Sequence, residues 1–144
     1  MIPDFIASGE LPPGEHPATL NQIELRYATN PIRRAQYEGL VRACSALAAA
    51  GATTVWLNGS YITAKTEPGD YDATFDTDNL DWIALGLDEP ELLDFDAPRS
   101  TQKRTYGGEL IPNVPGGVNF VDFFQHDRNG NRKGIIRIDL GDMT

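Results

Sequence analysis

Residues 55–76 read VWLNGSYITAKTEPGDYDATFD, and this stretch decides the fold. It begins with a β-prone run that ends at Gly59-Ser60. From residue 70 to residue 76, polar and apolar residues alternate one by one. Such alternation predicts a strand with one acidic and one apolar face. The stretch therefore predicts two consecutive strands, the first over residues 53–57 and the second over residues 70–76.

The second predicted strand carries Asp70 and Asp72, which lie two residues apart and project to the same side. Two carboxylates at that spacing repel each other unless a cation lies between them. Magnesium accepts carboxylate oxygens together with phosphate oxygens and water, so it requires few protein ligands. Gly59 lets the backbone approach a phosphate closely, and Ser60 supplies a hydroxyl donor at the following turn. The pattern therefore indicates a site for a magnesium-bound phosphate.

The same residues resemble the signature of the nucleotidyltransferase superfamily, which has the DNA polymerase β-like fold: Gly59-Ser60, nine intervening residues, then Asp70-Tyr71-Asp72. The longer stretches MIPDFIASGELPPGEHPATL, WLNGSYITAKTEPGDYD and VDFFQHDRNGNRKGIIRIDL resemble a branch of minimal, stand-alone bacterial nucleotidyltransferases. The resemblance implies that Gly59 and Ser60 bind the triphosphate of an NTP substrate. It also implies that Asp70 and Asp72 bind Mg²⁺ or Mn²⁺.

The resemblance further implies a third acid on a later strand, and Asp122 is the best candidate. It lies in a hydrophobic run over residues 118–125 that predicts a strand, where a charge would be costly without a cation. Asp139, in the run over residues 138–140, is the competing candidate. Asp76 shares the face of the pair but lies near the end of its strand, so its expected partner is solvent.

The acidity of the chain is concentrated in one segment. The net charge is −9, and residues 65–96 hold eleven of the 21 acidic residues but one of the 12 basic residues, Lys65. Such a segment attracts cations and repels nucleic-acid phosphates, so no stable DNA binding is expected. The basic residues that could neutralise a triphosphate are Lys65, Arg99, Lys103 and Arg104, and Lys65 is taken as the nucleotide-binding one.

The remaining patterns predict one α+β domain over residues 1–144, with a small mixed β-sheet flanked by helices. Residues 1–18 are rich in Pro and Gly and predict an extended arm outside the core. A capping box at Thr19 predicts a helix to about residue 27, and Asn30-Pro31 predicts the start of an amphipathic helix to about residue 50. We expect a short helix around residues 80–87 and irregular chain over residues 98–117. A hairpin with its turn at residues 129–130 would join strands over 118–125 and 135–140.

The chain shows no pattern of a membrane or secreted protein. Its longest apolar runs fall far short of the roughly 18 residues that a membrane span needs. The N-terminus lacks the basic and apolar regions of a signal peptide. A single cysteine, Cys44, excludes an internal disulfide and a cysteine-based zinc site. The expected location is a reducing cytoplasm.

Two specific functions and one less specific interpretation are consistent with the sequence. One is an enzyme that transfers a nucleoside monophosphate from an NTP to a hydroxyl of a protein or RNA acceptor, with Asp122 helping to activate the acceptor. The other is a non-catalytic binding module of the same fold, of the antitoxin type, that acts by binding a partner toxin protein. A plain structural domain with an acidic surface is the third, less specific interpretation.

Overall fold

The computed structural model describes residues 2–96 and 100–142. These residues form a five-stranded mixed sheet and five α-helices, which confirms the predicted α+β class. The strands are β1 (Gly14–Pro17), β2 (Thr54–Asn58), β3 (Tyr71–Asp76), β4 (Gly108–Asn113) and β5 (Gly134–Asp139). Their order in the sheet is β1-β5-β2-β3-β4, so the two predicted strands of the motif lie side by side near the middle.

The helices are α1 (Leu20–Tyr27), α2 (Pro31–Ala49), α3 (Trp82–Asp88), α4 (Ser100–Tyr106) and α5 (Phe120–Phe123). The capping box predicted at Thr19 is present, with both reciprocal bonds to Gln22. Asn30 caps α2 by accepting a hydrogen bond from the backbone N–H of Arg33. Within the described ranges, no helix combines the length and the apolar character that crossing a bilayer demands.

The period-two pattern of β3 sets the two faces of the sheet. β2 runs antiparallel to β3, with Val55 opposite Phe75 and Leu57 opposite Ala73. All four side chains are fully buried in one hydrophobic core that also contains Leu40 and other apolar residues of α2. The opposite face of β3 carries Asp72, Thr74 and Asp76, as the alternation predicts.

The predicted strand over residues 118–125 is wrong, because this run forms helix α5. Asn119 caps the helix by accepting a hydrogen bond from the backbone N–H of Asp122. Phe120 packs against Phe123 and Phe124, which lie three and four residues later, as neighbours on a helical turn do. The predicted hairpin is therefore wrong as well. Residues 127–131 do form a turn, but a single bridge between residues 126 and 132 replaces the strand pairing.

Two other segments are more ordered than predicted. Residues 98–117 were expected to be irregular, but they contain α4 and β4. The buried amide of Gln102 on α4 donates to the carbonyls of Leu92 and Leu110 and accepts from the N–H of Leu110, which ties the helix to β4. The N-terminal segment predicted as an arm outside the core supplies β1, which pairs with β5, and its Leu11 is fully buried.

Helix α4 lies against α2 at a glycine. A Cβ built on Gly39 of α2 would overlap the backbone of Tyr106 at the end of α4. Only a residue without a side chain lets the two backbones come this close. This contact fixes where α4 runs, and therefore where Lys103 on its exposed side can reach.

Candidate active site

The end of β2 and the start of β3 bring the Gly-Ser turn against the acids. Asn58, the last residue of β2, lies opposite Asp72 in the register. Gly59 follows with a φ of 96°, in the left-handed region that favours glycine. A Cβ at this position would lie 3.1 Å from the backbone N and 3.2 Å from Oδ2 of Asp72. Glycine is therefore required here both by the backbone conformation and by the space left beside the acid.

Ser60 begins a short 3-10 turn over Ser60–Ile62. Its hydroxyl lies 3.5 Å from the carbonyl of Asp70, to which it donates a long hydrogen bond. The carbonyl of Ser60 accepts a bond of 2.7 Å from the hydroxyl of Thr63. The turn is thus held in place beside the strand that carries the acids.

A buried arginine supports this turn from behind. Arg33 of α2 is 4% exposed, and its guanidinium donates to the carbonyls of Tyr61, Thr63 and Lys65. It also lies over the ring of Tyr61, 5.1 Å from the centroid. The carbonyl oxygens accept the N–H donors of the buried guanidinium, and the aromatic face attracts its positive charge. Arg33 therefore ties the chain after Gly59-Ser60 to the body of the protein.

A third acid that the sequence analysis missed lies next to the pair. Glu109 of β4 is the register partner of Asp72 on the neighbouring parallel strand. Partners in adjacent strands project to the same face, so both carboxylates belong to one side of the sheet. Glu109 precedes the apolar pair Leu110-Ile111 in the sequence, and that short β-prone run was the available signal for a strand beginning at residue 108.

The cation that lies among these acids is Lys103 of α4. Its ammonium is 3.6 Å from Oδ2 of Asp70 and 3.1 Å from Oε1 of Glu109. These ion pairs raise the pKa of Lys103, with the Glu109 hydrogen bond as the largest cause. The acids are therefore partly neutralised by a side chain of the protein itself.

The surroundings of Asp72 disfavour its charged form. Its pKa is raised to about 6, mainly by burial and then by the charges of Asp70 and Glu109. Lys133 and Lys103 act in the opposite direction. A carboxylate held in this environment favours either a proton or a bound cation, because both remove the uncompensated charge.

Asp72 opens into a cleft of about 810 Å³. Asn58 and Asp72 line it from the sheet, and the segment after β4 lines the other side. Its lining residues are Asn58, Asp72, Val118, Asn119, Asp122, Phe123, His126, Asp127, Arg128 and Lys133. Asp122 thus shares a cleft with Asp72, although it projects from an exposed helix and not from the hydrophobic strand that the sequence suggested.

Two other acids named in the sequence analysis lie away from this cleft. Asp139, the competing third acid, lies opposite Thr54 at the start of β2, and it forms an ion pair of 3.5 Å with Arg137. Asp76 was expected to meet solvent, but its carboxylate accepts hydrogen bonds from the backbones of Thr53 and Thr54.

The predicted basic residues are also distributed differently. Lys65 is exposed and lines a separate depression beside Arg26 and Asn30, so the structure does not bring it into the cleft. Arg99 lies outside the described residues. Arg128 and Lys133, which the sequence analysis passed over, are the basic residues of the cleft lining.

The acids suit a hard cation chemically, but their arrangement is not that of a formed metal site. Among residues 2–96 and 100–142, no group of three or more His, Cys, Asp or Glu side chains is placed to hold a metal ion. Magnesium requires carboxylate oxygens at about 2.1 Å in octahedral geometry. Metal binding by Asp70, Asp72 and Asp122 therefore stays a prediction, and ligation by Asp70 or Glu109 requires them to leave Lys103.

Asn58 supplies an unusual polar atom at the floor of the cleft. The residue is 6% exposed, and its buried Oδ1 finds no hydrogen-bond donor in the part of the chain that the structure describes. A buried acceptor without a donor is costly by about 1–3 kcal/mol, which makes it a rare feature of folded proteins. Because Asn58 lies opposite Asp72, the cleft has an amide oxygen beside the carboxylate of Asp72. This oxygen can accept a hydrogen bond from a ligand or coordinate a cation.

Comparison with known proteins adds a family but no function. Neither the curated proteins nor the solved structures contain a match to this chain. Residues 3–139, which are almost the whole sequence, match the family of unknown function DUF6932, and the protein belongs to that family.

Proposed function

We propose that this protein transfers a nucleoside monophosphate from an NTP to a hydroxyl group of a protein or RNA acceptor, with Mg²⁺ or Mn²⁺ as the cofactor. The observation that supports this most directly is the contact between Gly59 and Asp72. It places a phosphate-compatible turn within a few ångströms of a partly buried carboxylate whose pKa is raised to about 6. Glu109 is the register partner of Asp72, Asp70 and Glu109 share Lys103, and Asp72 itself lines a ligand-sized cleft.

Each residue has a role in this proposal. Gly59 and Ser60 hold the phosphates, because the turn has no Cβ in the way and offers a hydroxyl donor. Asp70 and Asp72 hold the metal, which when bound would neutralise the phosphate charge. The acceptor hydroxyl attacks the α-phosphorus, the bond to the pyrophosphate oxygen breaks, and a carboxylate takes the hydroxyl proton.

Two carboxylates are candidates for that proton acceptor. Asp122 lies on the wall of the cleft that faces the sheet. Glu109 lies directly beside Asp72 in the register of β3 and β4. We assign Glu109 the role, because a general base must lie within hydrogen-bond reach of the acceptor hydroxyl, and Glu109 lies beside Asp72, near the turn that would hold the phosphates.

The second candidate is a binding module that acts on a partner toxin protein without catalysis. The observation that favours it is Lys103, whose ammonium already contacts Asp70 and Glu109. A set of acids neutralised in this way is stable without a metal. Under this alternative the acids maintain the fold, and the surface of the protein binds the partner.

A labelling experiment separates the two functions. The purified protein is incubated with each of the four α-labelled NTPs, with Mg²⁺ or Mn²⁺ and a bacterial lysate that supplies protein and RNA acceptors. Asp72→Asn removes the central carboxylate, and Asp78→Asn is the matched control, because Asp78 is an exposed acid of the same segment outside the cleft lining. A labelled product that Asp72→Asn loses and Asp78→Asn keeps supports the enzyme. No labelled product in any reaction, with toxin neutralisation intact in Asp72→Asn, supports the binding module.

A further inference from the structure

Phe123 of α5 contributes an aromatic ring to the lining of the cleft that Asp72 also lines. The residue is 64% exposed although it is one of the largest apolar side chains of the protein. Val118, which lines the same wall, is 60% exposed. Exposed large apolar side chains gathered at a polar cleft indicate a surface that meets an apolar part of a ligand.

The ring is supported from behind by other aromatic residues. Its centroid lies 6.4 Å from that of Phe120 and 6.3 Å from that of Phe124, in edge-on and tilted arrangements. Phe124 is 5% exposed and anchors the cluster in the protein. Asn113 accepts a hydrogen bond from the N–H of Phe120, and Asn119 accepts one from the N–H of Asp122, so both ends of the first turn of α5 are fixed. The two neighbouring rings therefore restrict the orientation of Phe123 on its buried side.

The rest of the lining is polar and includes both signs of charge. Asn58 and Asp72 lie on the sheet side, Asp122 and Asp127 add further negative charge, and Arg128 and Lys133 provide positive charge. A ligand that fits this lining has a flat apolar ring, hydrogen-bond donors and an anionic group. A nucleotide combines these three features in a volume that a cleft of about 810 Å³ can accommodate.

We propose that Phe123 is the stacking platform for the nucleobase of the bound nucleotide, with Arg128 and Lys133 of the same cleft lining available to its phosphates. This inference rests on the proposed function for the identity of the ligand. Base stacking on an aromatic ring tolerates every base, because each has a π-face. The platform therefore predicts that purine and pyrimidine nucleotides bind with similar affinity.

Calorimetric titration of the full chain tests this proposal. The probes are ATP, CTP and inorganic tripolyphosphate, each with Mg²⁺, so that only two of the three carry a base. The variants are Phe123→Ala, Phe123→Trp and the control Leu87→Ala, which truncates an apolar side chain that is 82% exposed on α3. Thermal melts check that each variant is folded, which we expect because Phe123 is mainly exposed.

We expect Phe123→Ala to weaken ATP and CTP binding by about tenfold, within the range measured for loss of one stacked base. Tripolyphosphate binding should stay unchanged, Phe123→Trp should bind nucleotides at least as well as the native chain, and Leu87→Ala should change nothing. Equal affinity losses for nucleotides and tripolyphosphate, or unchanged nucleotide affinity, overturn the proposal. So does an absence of nucleotide binding by the native chain at millimolar concentration.

The labelling experiment keeps the two proposals apart. If the protein transfers nucleotides but Phe123→Ala binds them with unchanged affinity, the stacking role of Phe123 is wrong and the proposed enzyme activity stands. Binding that depends on Phe123, with no transfer to any acceptor, would support the platform and overturn the enzyme.

Discussion

Gly59 and Asp72 are packed so closely that a Cβ at position 59 would be more crowded than in an ordinary side-chain contact. The nearest atoms to a Cβ built there are the backbone N of Asp72 at 3.1 Å and its Oδ2 at 3.2 Å. One of these neighbours is backbone in the central region of the sheet and cannot move without disturbing the strand pairing. The turn and the acid therefore form one rigid unit.

We expect Gly59→Ala to lower the free energy of unfolding by about 2–3 kcal/mol. About 1 kcal/mol comes from forcing a residue with a Cβ to a φ of 96°, and the rest comes from the crowding against Asp72. Gly116→Ala is the matched control, because Gly116 has a φ of 82° and open space around it. Urea unfolding measures both, and equal losses in the two variants would show that the close approach contributes nothing.

Asp72→Asn should stabilise the metal-free protein at neutral pH. The pKa of Asp72 is raised from 3.8 to about 6, so the folded state holds this proton more tightly than the unfolded state. The stability of the native chain therefore falls as the pH rises from about 4 to about 6, where Asp72 ionises against its surroundings. Removal of the charge should gain about 1 kcal/mol above pH 6, allowing for solvent screening, and nothing below pH 4.

Thermal melts in EDTA at pH 4 and pH 8 measure this difference. Asp78→Asn, an exposed acid, should show the same melting temperature as the native chain at both pH values. A gain for Asp72→Asn that is equal at pH 4 and pH 8 would mean that the amide packs better, and that charge is not the cause.

Lys103→Met should increase the affinity for Mg²⁺ by roughly fivefold, the effect of losing the partly exposed ion pairs that Lys103 makes with two acids. Its ammonium lies 3.1 Å from Glu109 and 3.6 Å from Asp70, so it competes with a divalent cation for the same oxygens. Arg104→Met removes one positive charge from the same helix and is the control for a general change of charge. Melting temperatures across a Mg²⁺ titration give the affinities by mass action. An identical shift in both variants, or no stabilisation by Mg²⁺ in any of them, contradicts the prediction.

Arg33→Lys should cost about 2–4 kcal/mol of unfolding free energy, since an ammonium cannot replace the forked donors that reach three carbonyls. Arg34 is the neighbouring control. It is exposed and pairs with Glu24 at 3.1 Å, so Arg34→Lys should stay within about 0.5 kcal/mol. Urea unfolding measures the free energy of unfolding of both variants. Similar values would show that the hydrogen bonds of the Arg33 guanidinium are not needed for stability.

The features that the sequence predicted well are those set by neighbouring residues. The capping box at Thr19 and the Asn30-Pro31 start of α2 depend on groups within three or four residues of each other. The alternation in β3 likewise records which side chains face the core. These signals need no knowledge of the rest of the fold.

The features that the sequence analysis missed depend on distant contacts. Glu109 lies beside Asp72 because β4 pairs with β3 after an excursion of more than thirty residues. No sequence signal near either strand predicts that β3 pairs with β4. Gln102, whose buried amide supports this pairing, looks like an ordinary polar residue in the sequence. The run 118–125 contained an available signal, since Asn119 and the spacing of Phe120, Phe123 and Phe124 favour a capped helix. The apolar composition of this run favours a strand, whereas the spacing of its aromatic residues favours a helix.

The glycine at position 39 connects the packing of α2 to the charges of the acidic cluster. Gly39 fixes α4 through its contact with Tyr106, and α4 carries the ammonium that lies between Asp70 and Glu109. Any larger residue at position 39 would push α4 outward and withdraw that positive charge from the acids. A screen of random variants scored on divalent-cation affinity should therefore recover substitutions in the middle of α2, far along the chain from every carboxylate that they affect.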